Sequence, residues 1–117
     1  MADKEQLASL WKRVQVWNQW RRDNPDEAID LRSANLSGAN LNYADLSSAN
    51  LHCADLNRTD LSDANLNYAD LSSANLHLAK FRDAKISGAN LNRADLSGAD
   101  LNDADLSDTD QIGRAHV

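Results

Sequence analysis

Residues 34–53 read ANLSGANLNYADLSSANLHC, and the even spacing of Leu36, Leu41, Leu46 and Leu51 in that stretch decides the fold. The five-residue period runs from Leu31 to Leu106 without a gap, with leucine in fourteen of sixteen registers and Phe81 and Ile86 in the other two. Positions 34, 39, 44 and onward to 109 carry alanine fourteen times and threonine twice, at Thr59 and Thr109. An α-helix returns to one face after 3.6 residues and a strand after 2, so a strict period of five fits neither. Fixed short repeats mark a solenoid, in which no unit buries its apolar face alone and each must stack on a neighbour. The large apolar residue and the alanine then point inward, and the other three positions face water.

Those three positions have a consistent chemistry. The residue before each large apolar one is Asp in eight cases, Asn in six and Lys in two, Lys80 and Lys85. Ser and Asn dominate the position after it. These side chains bond nearby backbone or tolerate unusual dihedrals, which suits a chain that turns every five residues.

The pattern A-[DN]-L-x-x, as in Ala34-Asn35-Leu36-Ser37-Gly38 and Ala94-Asp95-Leu96-Ser97-Gly98, closely resembles the pentapeptide-repeat proteins. The resemblance covers residues 31–110. It implies an all-β solenoid, a right-handed quadrilateral β-helix with four pentapeptides to a square coil. About four coils would follow, and at ~4.8 Å per coil a height on the order of 20 Å.

The rest of the chain divides around that block. Residues 4–23 predict one helix, with Leu7, Leu10, Trp11, Val14, Trp17 and Trp20 forming a broad apolar stripe. Asp3 is placed as its N-cap, Arg21 and Arg22 complement the C-terminal end of the dipole, and Asn24-Pro25 stops it. Residues 1–24 are therefore expected to cap the first coil, whose backbone edge would otherwise invite aggregation. Membrane binding is the rival reading of this segment, and five acidic against five basic side chains in residues 1–29 disfavour it. Similar Trp-rich segments ending in Asn-Pro precede the repeats of many cyanobacterial pentapeptide-repeat proteins, which the segment resembles. Residues 25–30 connect, residues 31–110 form the solenoid, and residues 111–117 form a tail in which Gln111 stands where a seventeenth leucine belongs. An uncovered last coil could pair with a second copy, so monomer and homodimer through the C-terminal coil both stay open.

Residues 30–110 hold thirteen acidic and six basic side chains, so the repeat carries −7 and accounts for the chain's net charge of −6. Direct binding of nucleic acid or of an anionic membrane is disfavoured, since both draw on positive charge. One cysteine, Cys53, cannot form an internal disulfide and fits a reducing compartment. With no membrane-length apolar run and no signal-peptide pattern, cytoplasm is the expected location.

No catalytic grouping, cofactor motif or metal spacing stands out; His52, His77 and His116 lack a second ligand at metal spacing. Residues 39–52 recur identically at 64–77, an offset of 25, so duplication accounts for repeated surface residues such as Tyr43 and Tyr68. A 20-residue coil would stack Asp63, Asp83 and Asp103 below Tyr43, with Lys80 and Arg82 relieving the repulsion. The candidate partner surface comprises Tyr43, Arg58, Tyr68, Leu78, Arg93, Asp63, Asp83 and Asp103. The expectation is a non-enzymatic scaffold for an unidentified protein partner, with no cofactor. The alternative implied by the resemblance is an acidic DNA mimic acting on a DNA-binding protein such as gyrase.

Overall fold

The computed structural model describes residues 1–109, and the tail expected at 111–117 lies outside them. The repeat folds as a solenoid in which each residue preceding a large apolar one pairs, in parallel, with the residue twenty further on. The series runs from Asp30 with Asn50 to Lys85 with Asp105, so four pentapeptides make one turn of the coil. Each rung has two backbone hydrogen bonds: Leu31 N–H donates to Asn50 O (2.8 Å) and Asn50 N–H donates to Ile29 O (2.9 Å), and the same pair recurs along the stack. The bridges stay isolated and do not extend into strands, because a turn begins immediately after each one. "All-β" thus describes the hydrogen-bond ladder and not the length of any element.

The turn explains the polar half of the pattern. Ala34 N–H donates back to Leu31 O (3.1 Å), and Ser33 between them has φ +58°, the left-handed value that the third residue of a type II turn requires. The same sign recurs at every fifth residue to Asp108, and only Gly38, Gly88 and Gly98 carry it without a Cβ. A non-glycine residue there costs on the order of 1 kcal/mol. It is held in place because its own N–H donates to the next coil, as Ser33 does to His52 O (2.9 Å). Asp or Asn precedes the leucine because its side-chain oxygen accepts the N–H two residues on, from Asn35 Oδ1 with Ser37 (3.2 Å) to Asp105 Oδ1 with Ser107 (3.0 Å). Lys85 has no such acceptor, and Ser87 N–H turns to Asn67 Oδ1 (2.9 Å) instead.

Leucines and alanines fill the interior as expected, and Phe81 is fully buried in a leucine seat. Full burial of each leucine contributes roughly 1.5–3 kcal/mol. Thr59, in an alanine seat, has its hydroxyl donating to Leu36 O (2.7 Å), so it enters the core without an orphaned polar atom. Ala99, Leu101, Ala104 and Leu106 of the last coil are only partly buried.

The N-terminal segment departs from expectation. One helix was predicted over 4–23, and there are two, α1 (Lys4–Lys12) and α2 (Val14–Asp23), joined at an extended Arg13 with φ −162° and ψ 131°. A straight helix of that length would be about 30 Å long, whereas the two shorter dimensions of the molecule are 23 and 21 Å. Bending at Arg13 lets Leu10 of α1 and Trp17 of α2 both reach the core. Asp3 is the N-cap, accepting from Glu5 N (2.9 Å) and Gln6 N (3.2 Å). Leu10 and Trp17 are buried, and Leu7, Val14 and Trp20 pack partly buried against the core. Trp11 does not join them; its ring is half exposed, and its indole N–H donates to Asn35 O (3.1 Å).

Candidate functional site

All eight candidate surface residues occupy the left-handed turn position, with φ between +59° and +67°. Their Cα–Cβ bonds are aimed outward by the turn itself, and in Tyr43, Arg58, Asp63, Tyr68, Leu78 and Asp83 the residue's own N–H is tied to the next coil. Tyr43 and Tyr68 are the most exposed of the aromatic residues, at 67% and 70%. Backbone bonds from Tyr43 N to Ser62 O, from Asp63 N to Arg82 O and from Asp83 N to Asn102 O stack Tyr43, Asp63, Asp83 and Asp103 in one column. Tyr68 and Leu78 belong to two other columns, and each lies down on the glycine of the next coil. A Cβ added at Gly88 would sit 2.6 Å from the Tyr68 ring, and one at Gly98 would sit 2.6 Å from Leu78 Cδ2.

The acidic column is relieved differently from expectation. Arg82 pairs with Asp100 (3.7 Å) rather than with the column, and among the described residues Lys80 has no carboxylate within 4 Å. The tightest ion pair lies elsewhere, on the first coil. There Arg32 grips Asp30 with two bonds (2.9 and 2.8 Å), and with the Arg32 backbone N–H this holds the Asp30 carboxyl down at about 2. Asp105 is lowered too, by the backbone N–H and then the hydroxyl of Ser107.

Two histidines form contacts that the sequence conceals. His52 Nδ1 meets Ser72 Oγ (2.8 Å), whose hydroxyl donates to Asp70 Oδ1 (2.5 Å). His77, Ser97 and Asp95 repeat this at 2.8 and 2.6 Å. The order is the reverse of a hydrolytic triad. In a triad the acid orients the histidine and the histidine takes the serine proton, whereas here the acid holds the serine proton directly. These groups brace adjacent coils, and no group of three or more metal-ligating side chains assembles among the described residues.

Sequence reasoning also missed the residues that close the first coil. The Gln6 carboxamide donates to Ala28 O (2.9 Å) and accepts from Asp30 N (2.8 Å), while Asp3 N donates to Asp30 O (2.8 Å). Asn18 repeats the device, donating to Tyr43 O (2.9 Å) and accepting from Asp45 N (2.8 Å). Asp45 O also receives the Trp17 indole N–H (2.8 Å) and Arg21 (3.3 Å), and Arg21 reaches Ser47 O (2.9 Å). Arg21 thus serves the coil as well as the end of its own helix. The available signal was two amide side chains beside the apolar stripe, which periodicity alone reads as solvent-facing.

Comparison with known proteins agrees with this architecture. A family model described as pentapeptide repeats matches with eight copies, over residues 29–67, 44–83 and 74–110. No curated protein is similar enough in sequence to count as a relative. Among solved structures, the pentapeptide repeat protein alr5209 from Nostoc is similar at 36% identity, over 76% of this chain and 74% of that one, with a TM-score of 0.69. The pentapeptide repeat protein Rfr23 from Cyanothece is similar at 38% identity over 78% and 67%, with a TM-score of 0.42. A pentapeptide repeat protein of the Arabidopsis thaliana thylakoid lumen is similar at 28% over 72% and 62%, with a TM-score of 0.49. With the leucine ladder, the twenty-residue coil, the family model and the likeness to the Nostoc protein together, the chain belongs to the pentapeptide-repeat family.

Proposed function

We propose that this protein is a non-enzymatic scaffold that holds a protein partner on the side chains of its left-handed turns. The observation that carries the reading is the outward projection of Tyr43, Arg58, Tyr68 and Leu78 from left-handed turns whose own N–H groups are bonded to the next coil, with Arg93 at the same φ. Side chains on such a frame lose little backbone entropy on binding, which favours recognition by a few protruding groups. The finer architecture belongs to the same proposal: about four right-handed square coils, with α1 and α2 capping the first. Gln6, Asn18, Trp17 and Arg21 support the cap, because they bond edge groups that a preceding coil would otherwise serve. A free, exposed Cys53 accords with a reducing compartment, and we place the protein in the cytoplasm.

Cross-linked capture from cell extract tests the reading, comparing the natural chain with Tyr43→Ser/Tyr68→Ser and with Asp63→Asn/Asp83→Asn/Asp103→Asn. The expected result is a bound protein that the tyrosine variant loses while its far-ultraviolet dichroism stays unchanged. Identical captures by all three would sink it. One observation favours a second reading, the acidic DNA mimic: Asp63, Asp83 and Asp103 stack at ladder spacing on one face. That reading requires inhibition of a DNA-binding enzyme such as gyrase, abolished in the triple Asn variant. Light scattering across concentrations separates monomer from homodimer, and a dimer would lengthen the acidic face.

A further inference from the structure

The first coil is closed at the Asp30 and Asp45 rungs, half closed at Asn35, where the Trp11 indole takes the carbonyl and among the described residues nothing bonds the N–H, and open at Asn40. At Asp30 and at Asp45 one carboxamide, from Gln6 or Asn18, spans the carbonyl of residue n−2 and the N–H of residue n. The equivalent rung one pentapeptide before Asp45 is Asn40, whose N–H and C=O are the two groups that a preceding coil would bond. Among the described residues nothing bonds either group, and Asn40 is exposed. A side-chain seat lies beside this slot. Lower in the stack the corresponding seats are filled, over Gly88 by Tyr68 and over Gly98 by Leu78, whereas a Cβ at Gly38 meets nothing within 4 Å. A groove of about 410 Å³ opens along the same edge, lined by Arg13, Val14, Asn18, Asn40 and Tyr43 among others. The Arg13 guanidinium bonds neutral Gln15 Oε1 (3.1 Å) and, among the described residues, has no carboxylate within 4 Å.

We infer that this edge docks an extended segment of a partner protein, which adds one rung to the solenoid at Asn40. A carbonyl of the segment accepts the Asn40 N–H and the N–H two residues further on donates to Asn40 C=O, as Ile29 C=O and Leu31 N–H do for Asn50. A tyrosine or leucine side chain of the segment covers Gly38, as Tyr68 and Leu78 cover their glycines. An acidic side chain faces Arg13. Main-chain bonds supply the affinity of such strand addition and the side-chain seat supplies the selectivity. The inference rests on the scaffold reading and names where, and by what chemistry, the partner is held.

The test titrates the nitrogen-15-labelled full chain to millimolar excess with the blocked peptide acetyl-Thr-Tyr-Thr-Glu-Thr-amide and with versions N-methylated at each position in turn. Expected are saturable shifts of the Gly38 and Asn40 amides while those of Asp30 and Asp45 stay in place. N-methylation at the pairing residue should abolish them, and Arg13→Ala should weaken binding about two- to fivefold, the range of an exposed ion pair. Silence at Asn40, or equal binding of every N-methylated peptide, overturns the proposal. Protection of the Asn40 amide in the free chain overturns it as well: protection at every concentration assigns the slot to the chain's own Gln15, and protection that grows with protein concentration assigns it to a second copy. A captured partner that leaves Asn40 unmoved sinks the rung and keeps the scaffold, while a saturable Asn40 shift without capture does the reverse.

Discussion

The interior coils and the first coil meet the same hydrogen-bonding demand by different means. Inside the stack, every rung is served by backbone, with Leu56 N–H donating to Asn75 O (2.8 Å) and Asn75 N–H donating to Ala54 O (2.9 Å). At the first coil no earlier coil lies above, and side chains of α1 and α2, with the Asp3 backbone N–H, serve the Asp30, Asn35 and Asp45 rungs. Register therefore decides everything in the interior, since any residue of the right size at the fifth place suffices. Individual geometry decides the N-terminal edge, where a particular amide must arrive at a particular carbonyl. Damage should accordingly be uniform along the stack and idiosyncratic at its start.

The largest effect should come from the interior. Phe81→Ala empties the bulkiest seat in the stack and should cost about 3–5 kcal/mol, read as a lowered urea midpoint with coincident circular dichroism and tryptophan fluorescence transitions. Because all three tryptophans lie in α1 and α2, non-coincident transitions would show that the edge melts apart from the stack and would break the comparison. Gln6→Met keeps the length and removes both amide bonds at the Asp30 rung. It should cost roughly 1–3 kcal/mol and speed hydrogen exchange at Asp30 N while leaving Asn50 N protected.

A smaller loss is expected from Thr59→Val, about 1 kcal/mol, because only one hydroxyl bond to Leu36 O disappears from an otherwise apolar seat. A cost as large as that of Phe81→Ala would mean the interior is less interchangeable than its register suggests. The smallest effect concerns pH. Asp30 titrates near 2 in the folded chain against an ordinary 3.8, so its contribution is present above the ordinary value and fades as pH falls through 2. Arg32→Ala should return the Asp30 carboxyl toward 3.8 in a carbon-detected titration, with little change in stability at neutral pH, since the pair is exposed. An unmoved Asp30 would shift the credit to the Arg32 backbone N–H.

Legibility in the sequence follows the same division. The inward leucines, the alanines and the Asp/Asn places were readable because they repeat, and each repeat imposes the same local turn. The break at Arg13 was not readable, because the apolar stripe runs through it and only the width of the coil forbids a straight helix. Gln6 and Asn18 were missed because an amide beside a stripe reads as solvated until its acceptor is known to lie 22 or 25 residues away. His52 with Ser72 and His77 with Ser97 are separated by one whole coil, so neither pair has a local signature. Of the candidate surface, the column of Tyr43, Asp63, Asp83 and Asp103 followed from the coil length, while the partner of Arg82 did not.

The duplicated stretch recurs at an offset of five pentapeptides on a coil of four. To the core, a shift by one pentapeptide is invisible, since leucine replaces leucine. To the surface it is a quarter turn, which carried Tyr43's counterpart to the neighbouring column at Tyr68 and moved the His52 brace to His77. Insertion or loss of a single pentapeptide would leave the interior intact while rotating every later side chain onto the next face. In such a molecule the number of units upstream, as much as the identity of any residue, determines which face of the coil a given group occupies.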